Sequence, residues 1–176
     1  VKNQVVIPTI RGLQRDGIPY EGFLFFGLMK VQGDPYVIEY NCRLGDPETQ
    51  IVLPLLETDL LHLMDGLANG LLSEIDVSLS PKAATAVILA SEGYPGAYKK
   101  GERVVLPDPK TIGKDQHIVH AGTSTVDGEV VTSGGRVMAC VGTGADVKQA
   151  AEKAYALAEA VQFKGKTFRS DIGTVA

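Results

Sequence analysis

Three polar side chains recur at every second position in one short segment of the chain: Glu39, Asn41 and Arg43. On a β-strand such residues point to the same face, about 7 Å apart. A carboxylate and a carboxamide oxygen placed in this way can reach one hard divalent cation, whose ligands are oxygens. An arginine one step further along can hold a phosphate group or stabilise developing charge. The spacing therefore predicts a magnesium and phosphate site.

A solvated strand face is the alternative interpretation, because alternating polar residues are common on half-exposed strands. Two observations count against it. Asparagine is depleted in strands, and Asp46 and Glu48 add two carboxylates in the loop that follows. The residues by themselves leave both interpretations open.

The segment from Glu39 to Gln50, EYNCRLGDPETQ, resembles the signature of the phosphoribosylamine–glycine ligase family of ATP-grasp enzymes. Its shorter core, Glu-x-Asn-x-Arg, looks like the metal-binding strand found across ATP-grasp enzymes, and the GDPET extension points to this one family. The resemblance covers the whole chain. Its other segments are GFLFFGLM at 22–29, ASEGYPGAY at 90–98, HAGT at 120–123, SGGRV at 133–137 and FRSDIG at 168–173.

The resemblance implies an enzyme that joins glycine to 5-phosphoribosylamine with ATP, through a glycyl phosphate, in de novo purine biosynthesis. The products are glycinamide ribonucleotide, ADP and phosphate. Glu39 and Asn41 match the family's Mg²⁺ or Mn²⁺ ligands, and Arg43 would lie against the transferred phosphate as the catalytic residue. Asp46 and Glu48 are weaker candidates for orienting glycine or the ribosylamine.

Arg136 is a further candidate for substrate binding, because it follows Gly134 and Gly135 at the predicted start of a strand. It could reach a substrate phosphate. A surface arginine that pairs with an acid is the alternative.

The chain lacks a phosphate loop of the GxxxxGKS type. The resemblance places the ATP-binding lobe and an N-terminal substrate domain before Val1, and the chain begins without Met. We therefore expect a C-terminal portion of a longer ligase. Its partners are the missing N-terminal part, glycine, 5-phosphoribosylamine and ATP, and the isolated portion is expected to be inactive.

The composition excludes several other classes of protein. The 176 residues carry a net charge of −4 with a pI near 5.4, whereas nucleic-acid and anionic-membrane binders need a basic surface. No apolar run approaches the roughly 18 residues of a membrane span. Cys42 and Cys140 form no disulfide or zinc motif, which favours a cytoplasmic location.

The helices and strands predicted from the sequence, which must position these residues, indicate an α+β fold. Residues 1–80 are expected to form the C-terminal half of an ATP-grasp domain, an antiparallel sheet with helices. Residues 82–176 are expected to form a small mixed β-sheet lobe with one long helix, capped by Asp146. Two further helices are predicted at 3–16 and 47–56, and a third begins at an N-cap residue, Thr58 or Asp59. The predicted strands are 22–29, 36–43, 83–90, 118–126, 129–133 and 136–141.

Strict alternation along 36–43 also predicts an apolar face that belongs to a core. This face consists of Tyr36, Ile38, Tyr40 and Cys42. A structural ion pair is expected between Arg169 and Asp171.

Two other functions remain open at this point. The chain could belong to another ATP-grasp carboxylate–amine ligase, which the metal-binding strand alone does not distinguish. It could also be a non-catalytic assembly module whose polar strand is ordinary surface. A metal-dependent hydrolase would need additional His or Asp ligands.

Overall fold

The computed structural model describes residues 1–174, and the chain divides into two compact units. The first unit contains Val1–Asp46 and Asp59–Asp76. The second contains Pro47–Thr58 and Val77–Ala176, of which residues 175 and 176 lie outside the described part. The predicted α+β class is confirmed, whereas the predicted division at residues 80 and 82 stays a prediction.

The first unit begins with a π-helical turn, Lys2–Val6, that continues into helix α1, Ile7–Arg15. Pro8 occupies the first turn of α1, where its missing N–H is not needed. Strands β1 (Phe25–Val31) and β2 (Asp34–Asn41) form an antiparallel hairpin. Gln32 and Gly33 have φ of 52° and 97°, as a tight hairpin turn requires. The helix and the two strands predicted here are confirmed, but the strand ends differ.

Helix α3, Leu60–Ala68, completes the first unit, and the expected cap is present because Asp59 accepts from the backbone N–H of His62 at 2.9 Å. Leu71 lies beyond the end of this helix. Gly70 has φ of 69°, and the N–H of Leu71 bonds the carbonyl of Gly66 at 2.7 Å. This glycine-dependent C-cap stops the helix.

The second unit starts with a short helix, α2 (Thr49–Val52), and a 3₁₀ turn, Leu53–Leu55, where one longer helix was predicted. Its main sheet has the strand order β4-β7-β3-β8. These strands are Gln116–His120 (β4), Arg136–Gly144 (β7), Ala83–Ser91 (β3) and Lys166–Thr167 (β8).

Every described pairing in this sheet is antiparallel, not mixed as predicted. Helix α4, Val147–Ala160, connects β7 to β8 and carries the chain past β3. Strands β7 and β8 therefore run parallel, but β3 lies between them, so no parallel neighbours form. The predicted 118–126 strand is divided between β4 and β5 (Thr123–Val126).

Strand β5 pairs with β6, Glu129–Thr132, around a turn in which Asp127 and Gly128 have φ of 49° and 81°. Positive φ at both central residues is typical of a type I′ turn, for which Asp-Gly is a favoured sequence. The core of the second unit lies between the sheet and α4, whose cap is the predicted Asp146. Its fully buried side chains include Val87, Leu89, Val137, Met138, Cys140, Ala154, Ala158 and Val161. No described helix has the length and apolar content that crossing a membrane requires.

A charged network ties four segments of the second unit together. The carboxylate of Asp115 accepts from the ammonium groups of Lys82 and Lys153, each at 2.8 Å, and from the Thr143 hydroxyl at 3.3 Å. Lys153 also donates to the carbonyl of Thr143 at 2.8 Å. The hydrogen bond from Lys153, and then that from Lys82, hold the pKa of Asp115 well below its usual value.

We expect Asp115→Asn to lower the free energy of unfolding at pH 7 and to reduce its decline in acid. An aspartate with a lowered native pKa stabilises the folded state above its unfolded pKa of about 3.9. This stabilisation is lost as the pH falls from there towards the native pKa. Urea unfolding of the whole chain at several pH values measures both effects. Asp127→Asn is the matched control, and an equal change in both variants would contradict the prediction.

Candidate functional site

Glu39 and Asn41 lie together at the end of β2. The Asn41 amide donates to the Glu39 carboxylate at 3.0 Å, so the two polar ends are adjacent. Glu39 is exposed and Asn41 is half-buried. No lysine or arginine in the described part of the chain forms an ion pair with Glu39. The carboxylate therefore faces solvent with its charge not neutralised by protein.

The backbone register explains which face carries these groups. Glu39 pairs with Gly27, but the next pair along is Val37 with Leu28, so Ile38 is an extra residue in β2. One extra residue makes a β-bulge, and the residues on its two sides no longer follow one regular alternation of side chains between the two faces of the hairpin. Directly opposed side chains share a face. Glu39 and Gly27 thus lie on one face, and Val37 lies on the other.

The predicted apolar face of β2 is wrong for the same reason. Tyr40 pairs with Phe26, whereas Tyr36 pairs with Met29, so the bulge puts the two tyrosines on opposite faces. Tyr36, Ile38 and Tyr40 are 58%, 64% and 50% exposed, and Cys42 is exposed. Simple alternation could not predict an inserted residue.

Helix α1 and the π-helical turn lie on the face opposite Glu39. The rings of Phe26 and Tyr40 make an edge contact at 5.4 Å, and the Tyr40 hydroxyl is 3.2 Å from that of Thr9. A groove of about 870 Å³ runs between α1 and this face, lined by Ile10 and Phe26 among other residues. Glu39 and Asn41 thus project away from this groove.

Arg43 lies two residues beyond the end of β2, where the sequence predicted that the strand would continue. One of its guanidinium nitrogens donates to the carbonyl of Leu44 at 2.9 Å. The side chain is exposed. Asp46 is also exposed and is the last residue of this part of the first unit.

Glu48 and Arg136 belong to the second unit. Glu48 is half-buried at the start of α2, and its carbonyl accepts from the N–H groups of Ile51 and Val52. Arg136 is the half-buried first residue of β7. The roles predicted for Asp46, Glu48 and Arg136 stay predictions.

A glycine is needed just before Arg136. A Cβ atom at Gly135 would lie 2.1 Å from the ring of Tyr94, so the aromatic ring occupies the space that a side chain would take. The Ser91 hydroxyl donates to the carbonyl of Gly134 at 3.3 Å. The backbone that leads into Arg136 is therefore held by close packing against the segment after β3.

The side-chain oxygens of Glu39 and Asn41 suit a hard divalent cation that takes most of its ligands from water and substrate. Within residues 1–174, no group of three or more His, Cys, Asp or Glu side chains is placed to hold a metal ion. Glu39 and Asn41 offer one carboxylate and one amide oxygen. Mg²⁺ is commonly bound in this way, through one or two carboxylates together with water and substrate phosphates.

The ion pair predicted between Arg169 and Asp171 is confirmed. It is bidentate, with N···O distances of 2.8 and 2.6 Å. Both side chains are largely exposed, and the pair orders the chain locally.

Comparison with protein families matches both parts of the chain to one family. Residues 1–49 match the phosphoribosylglycinamide synthetase ATP-grasp (A) domain, and residues 84–175 match the C domain of the same synthetase. Proteins named phosphoribosylamine–glycine ligase are similar throughout. Those of Vibrio vulnificus and Ralstonia nicotianae are 41% and 42% identical over 174 residues.

The chain spans only part of these relatives. The alignments cover 98% of this chain but 40% and 41% of the two relatives. A crystal structure of phosphoribosylamine–glycine ligase from Thermotoga maritima is 41% identical, with a TM-score of 0.75, over 93% of this chain and 40% of that one.

A more distant solved structure shares the fold alone. It is the biotin carboxylase domain of Hydrogenobacter thermophilus 2-oxoglutarate carboxylase, in complex with MgADP, ADP and bicarbonate. It has a TM-score of 0.63 at 13% identity, over 95% of this chain and 37% of that one.

The two cysteines are expected to differ sharply in reactivity with a thiol reagent at pH 8. Cys42 is exposed next to the candidate site, whereas Cys140 is fully buried, and burial raises its pKa to about 12. Because the thiolate is the reactive form, the folded chain should show one fast thiol, and the unfolded chain two. The fast phase should disappear in Cys42→Ser and persist in Cys140→Ser; the reverse pattern would contradict the placement of both residues.

Proposed function

Because the chain belongs to the phosphoribosylglycinamide synthetase family, we propose that it forms part of a ligase that joins glycine to 5-phosphoribosylamine with ATP. The reaction proceeds through a glycyl phosphate and gives glycinamide ribonucleotide, ADP and phosphate, a step of purine biosynthesis. The adjacency of the Glu39 carboxylate and the Asn41 amide, 3.0 Å apart on an open strand face, carries this proposal on the structural side.

Glu39 and Asn41 hold Mg²⁺ or Mn²⁺ in this proposal. The bound cation would neutralise phosphate oxygens during phosphoryl transfer, which depends mainly on positioning and electrostatics. Glu39 brings the negative charge and Asn41 a neutral oxygen. The Asn41 side-chain NH₂ donates to the Glu39 carboxylate at 3.0 Å, so the ends of the two side chains lie within reach of one cation.

Arg43 contacts the transferred phosphate in this proposal. Only one of its nitrogens donates to the Leu44 carbonyl, and a guanidinium carries five N–H groups. The remaining N–H groups of an exposed, anchored guanidinium suit a phosphate oxygen whose charge increases during transfer. Arg43 acts as a fixed positive group in this step and neither accepts nor loses a proton.

We assign secondary roles to three further residues. Asp46 and Glu48, within the GDPE segment, would orient the amino group of glycine or of the ribosylamine through their carboxylates. Arg136 would bind the substrate phosphate, since the packed Gly135 holds its backbone in place.

The rest of the enzyme is the partner that the proposal requires. The relatives are more than twice as long as their match to this chain, and the ATP-grasp domain match ends at residue 49. We propose that the polypeptide outside this chain supplies the nucleotide-binding lobe. A cytoplasmic location and a domain division near residue 81 belong to the same proposal, the former supported by the free cysteines.

A non-catalytic assembly module remains the second candidate, because Met29, Tyr36 and Ile38 are exposed apolar residues of the same hairpin. In that case the strand would bind no metal. Metal binding at Glu39 and Asn41 therefore distinguishes the two functions.

We expect the intact protein that carries this chain to catalyse glycine- and phosphoribosylamine-dependent release of ADP. The double variant Glu39→Ala with Asn41→Ala should lose this activity and its Mn²⁺ binding, because both oxygen ligands are removed. Electron paramagnetic resonance of free Mn²⁺ measures binding, and a coupled ADP assay measures turnover. Gln4→Ala, a polar change on the same unit, is the control.

If the parent protein binds no Mn²⁺ and shows no such activity, the module is the better interpretation. If the parent protein is active only with another acid or amine, it is a different ATP-grasp ligase, and the proposed substrates are wrong.

The purified chain of 176 residues is expected to release no ADP with glycine and phosphoribosylamine. It carries the metal-binding strand but, in this proposal, not the lobe that binds ATP. Adding the remaining polypeptide as a separate chain should restore turnover. ADP release by the isolated chain would show that it contains the complete site.

A further inference from the structure

We propose that Gly27 is a positioning residue for the metal-binding carboxylate of Glu39. This inference rests on the proposed role of Glu39 as a metal ligand. It starts from the register of the hairpin, in which Gly27 on β1 and Glu39 on β2 are directly opposed. Opposed residues share a face, and their Cβ positions lie about 4.5–5.5 Å apart.

The space above Gly27 is filled by Glu39. A Cβ atom built at Gly27 would lie 2.8 Å from Cγ of Glu39, and the next two nearest atoms are the carbonyl oxygen and nitrogen of Glu39, at 3.5 and 3.6 Å. A carbon–carbon distance of 2.8 Å is well inside the optimum of about 3.5–4.0 Å. Any side chain at position 27 must therefore displace the stem of Glu39.

The position of Cγ determines where the Glu39 carboxylate points. Cγ is the last carbon before the carboxyl group, so a displacement there moves both oxygens. In the present arrangement the Glu39 side chain lies back across β1, and its Oε1 is 3.0 Å from the Asn41 amide. The absence of a side chain at Gly27 thus permits the adjacency on which a shared cation depends.

A β-bulge lies directly beside the pair of Gly27 and Glu39. The register shifts immediately after Gly27, where Leu28 pairs with Val37, and Ile38 is left over. Bulges redirect side chains and are frequent beside active sites. With regular alternation Val37 would lie on the same face as Glu39; with the bulge, Val37 lies on the opposite face and Tyr36 takes its place, opposite Met29. The missing side chain at Gly27, and not the bulge, leaves room for the Glu39 side chain.

Backbone flexibility does not explain this glycine. Gly27 has no positive φ, in contrast to Gly33 in the adjacent turn. Glycine inside a strand also weakens the strand, because it has more freedom to lose and no side chain to pack. Its presence is accounted for by the neighbour across the strand and not by the conformation of its own backbone.

The test is a Mn²⁺ titration of the intact protein that carries this chain, with Gly27→Ala compared with wild type. We expect Gly27→Ala to weaken Mn²⁺ binding about tenfold or more, in the range typical for groups that orient metal ligands. Gly12→Ala is the matched control. It is the same change in the same unit, nothing lies within 4 Å of a Cβ at that position, and its Mn²⁺ affinity should stay unchanged.

A double-mutant cycle separates positioning from general damage to the fold. Gly27→Ala should lower the midpoint of urea unfolding when Glu39 is present. It should leave the midpoint unchanged or raise it in the Glu39→Ala background, where the crowded Cγ atom is gone. Should Gly27→Ala alone fail to fold, recovery of folding in the double variant supports the same conclusion.

The outcomes distinguish this inference from the proposed function. Wild-type Mn²⁺ binding that is lost in Glu39→Ala but unchanged in Gly27→Ala would overturn the role of Gly27 and leave the metal site intact. An equal cost of Gly27→Ala in both backgrounds would also overturn it, because the clash would then involve other atoms. Absence of Mn²⁺ binding in the wild type would remove both proposals.

Discussion

Backbone pairing between β1 and β2 decides which side chains of the first unit can act together. Hydrogen bonds between the strands fix Gly27 opposite Glu39 and Phe26 opposite Tyr40, and a single extra residue reverses the alternation beyond that point. Since side chains of a strand have a period of two, one inserted residue moves everything after it to the other face. The candidate site exists because Glu39 and Asn41 lie on the same side of this insertion.

The two faces of the hairpin have different surroundings. One face is covered by α1 and contains the aromatic pair of Phe26 and Tyr40. The other holds the polar ends of Glu39 and Asn41 beside exposed apolar residues such as Met29 and Tyr36. A two-stranded hairpin is marginally stable alone, so α1 supports the hairpin on one face and leaves the opposite face exposed.

The second unit has a different basis for its stability. Strands β3 and β7 pair along their whole length, and α4 covers them with small side chains that allow close approach. Gly142 shows how tight this contact is, because a Cβ there would lie 2.2 Å from the carbonyl oxygen of Ala150. The network around Asp115 then joins the helix to the strands at the periphery. This unit is a packed scaffold, to which the family match assigns the C domain.

Local sequence determined most of the secondary structure of this protein and the closeness of Glu39 and Asn41 in the candidate site. The caps at Asp59 and Asp146, the Asp127–Gly128 turn and the hairpin after Gly22 all follow from short-range preferences that act within a few residues. The Glu-x-Asn spacing was readable because two positions on a strand return to the same face. Tertiary structure alone decided the bulge at Ile38, the exposure of Tyr36 and Cys42, and the antiparallel order of the main sheet. These depend on which strands pair and in what register, and such pairings are set by contacts between residues distant in the chain.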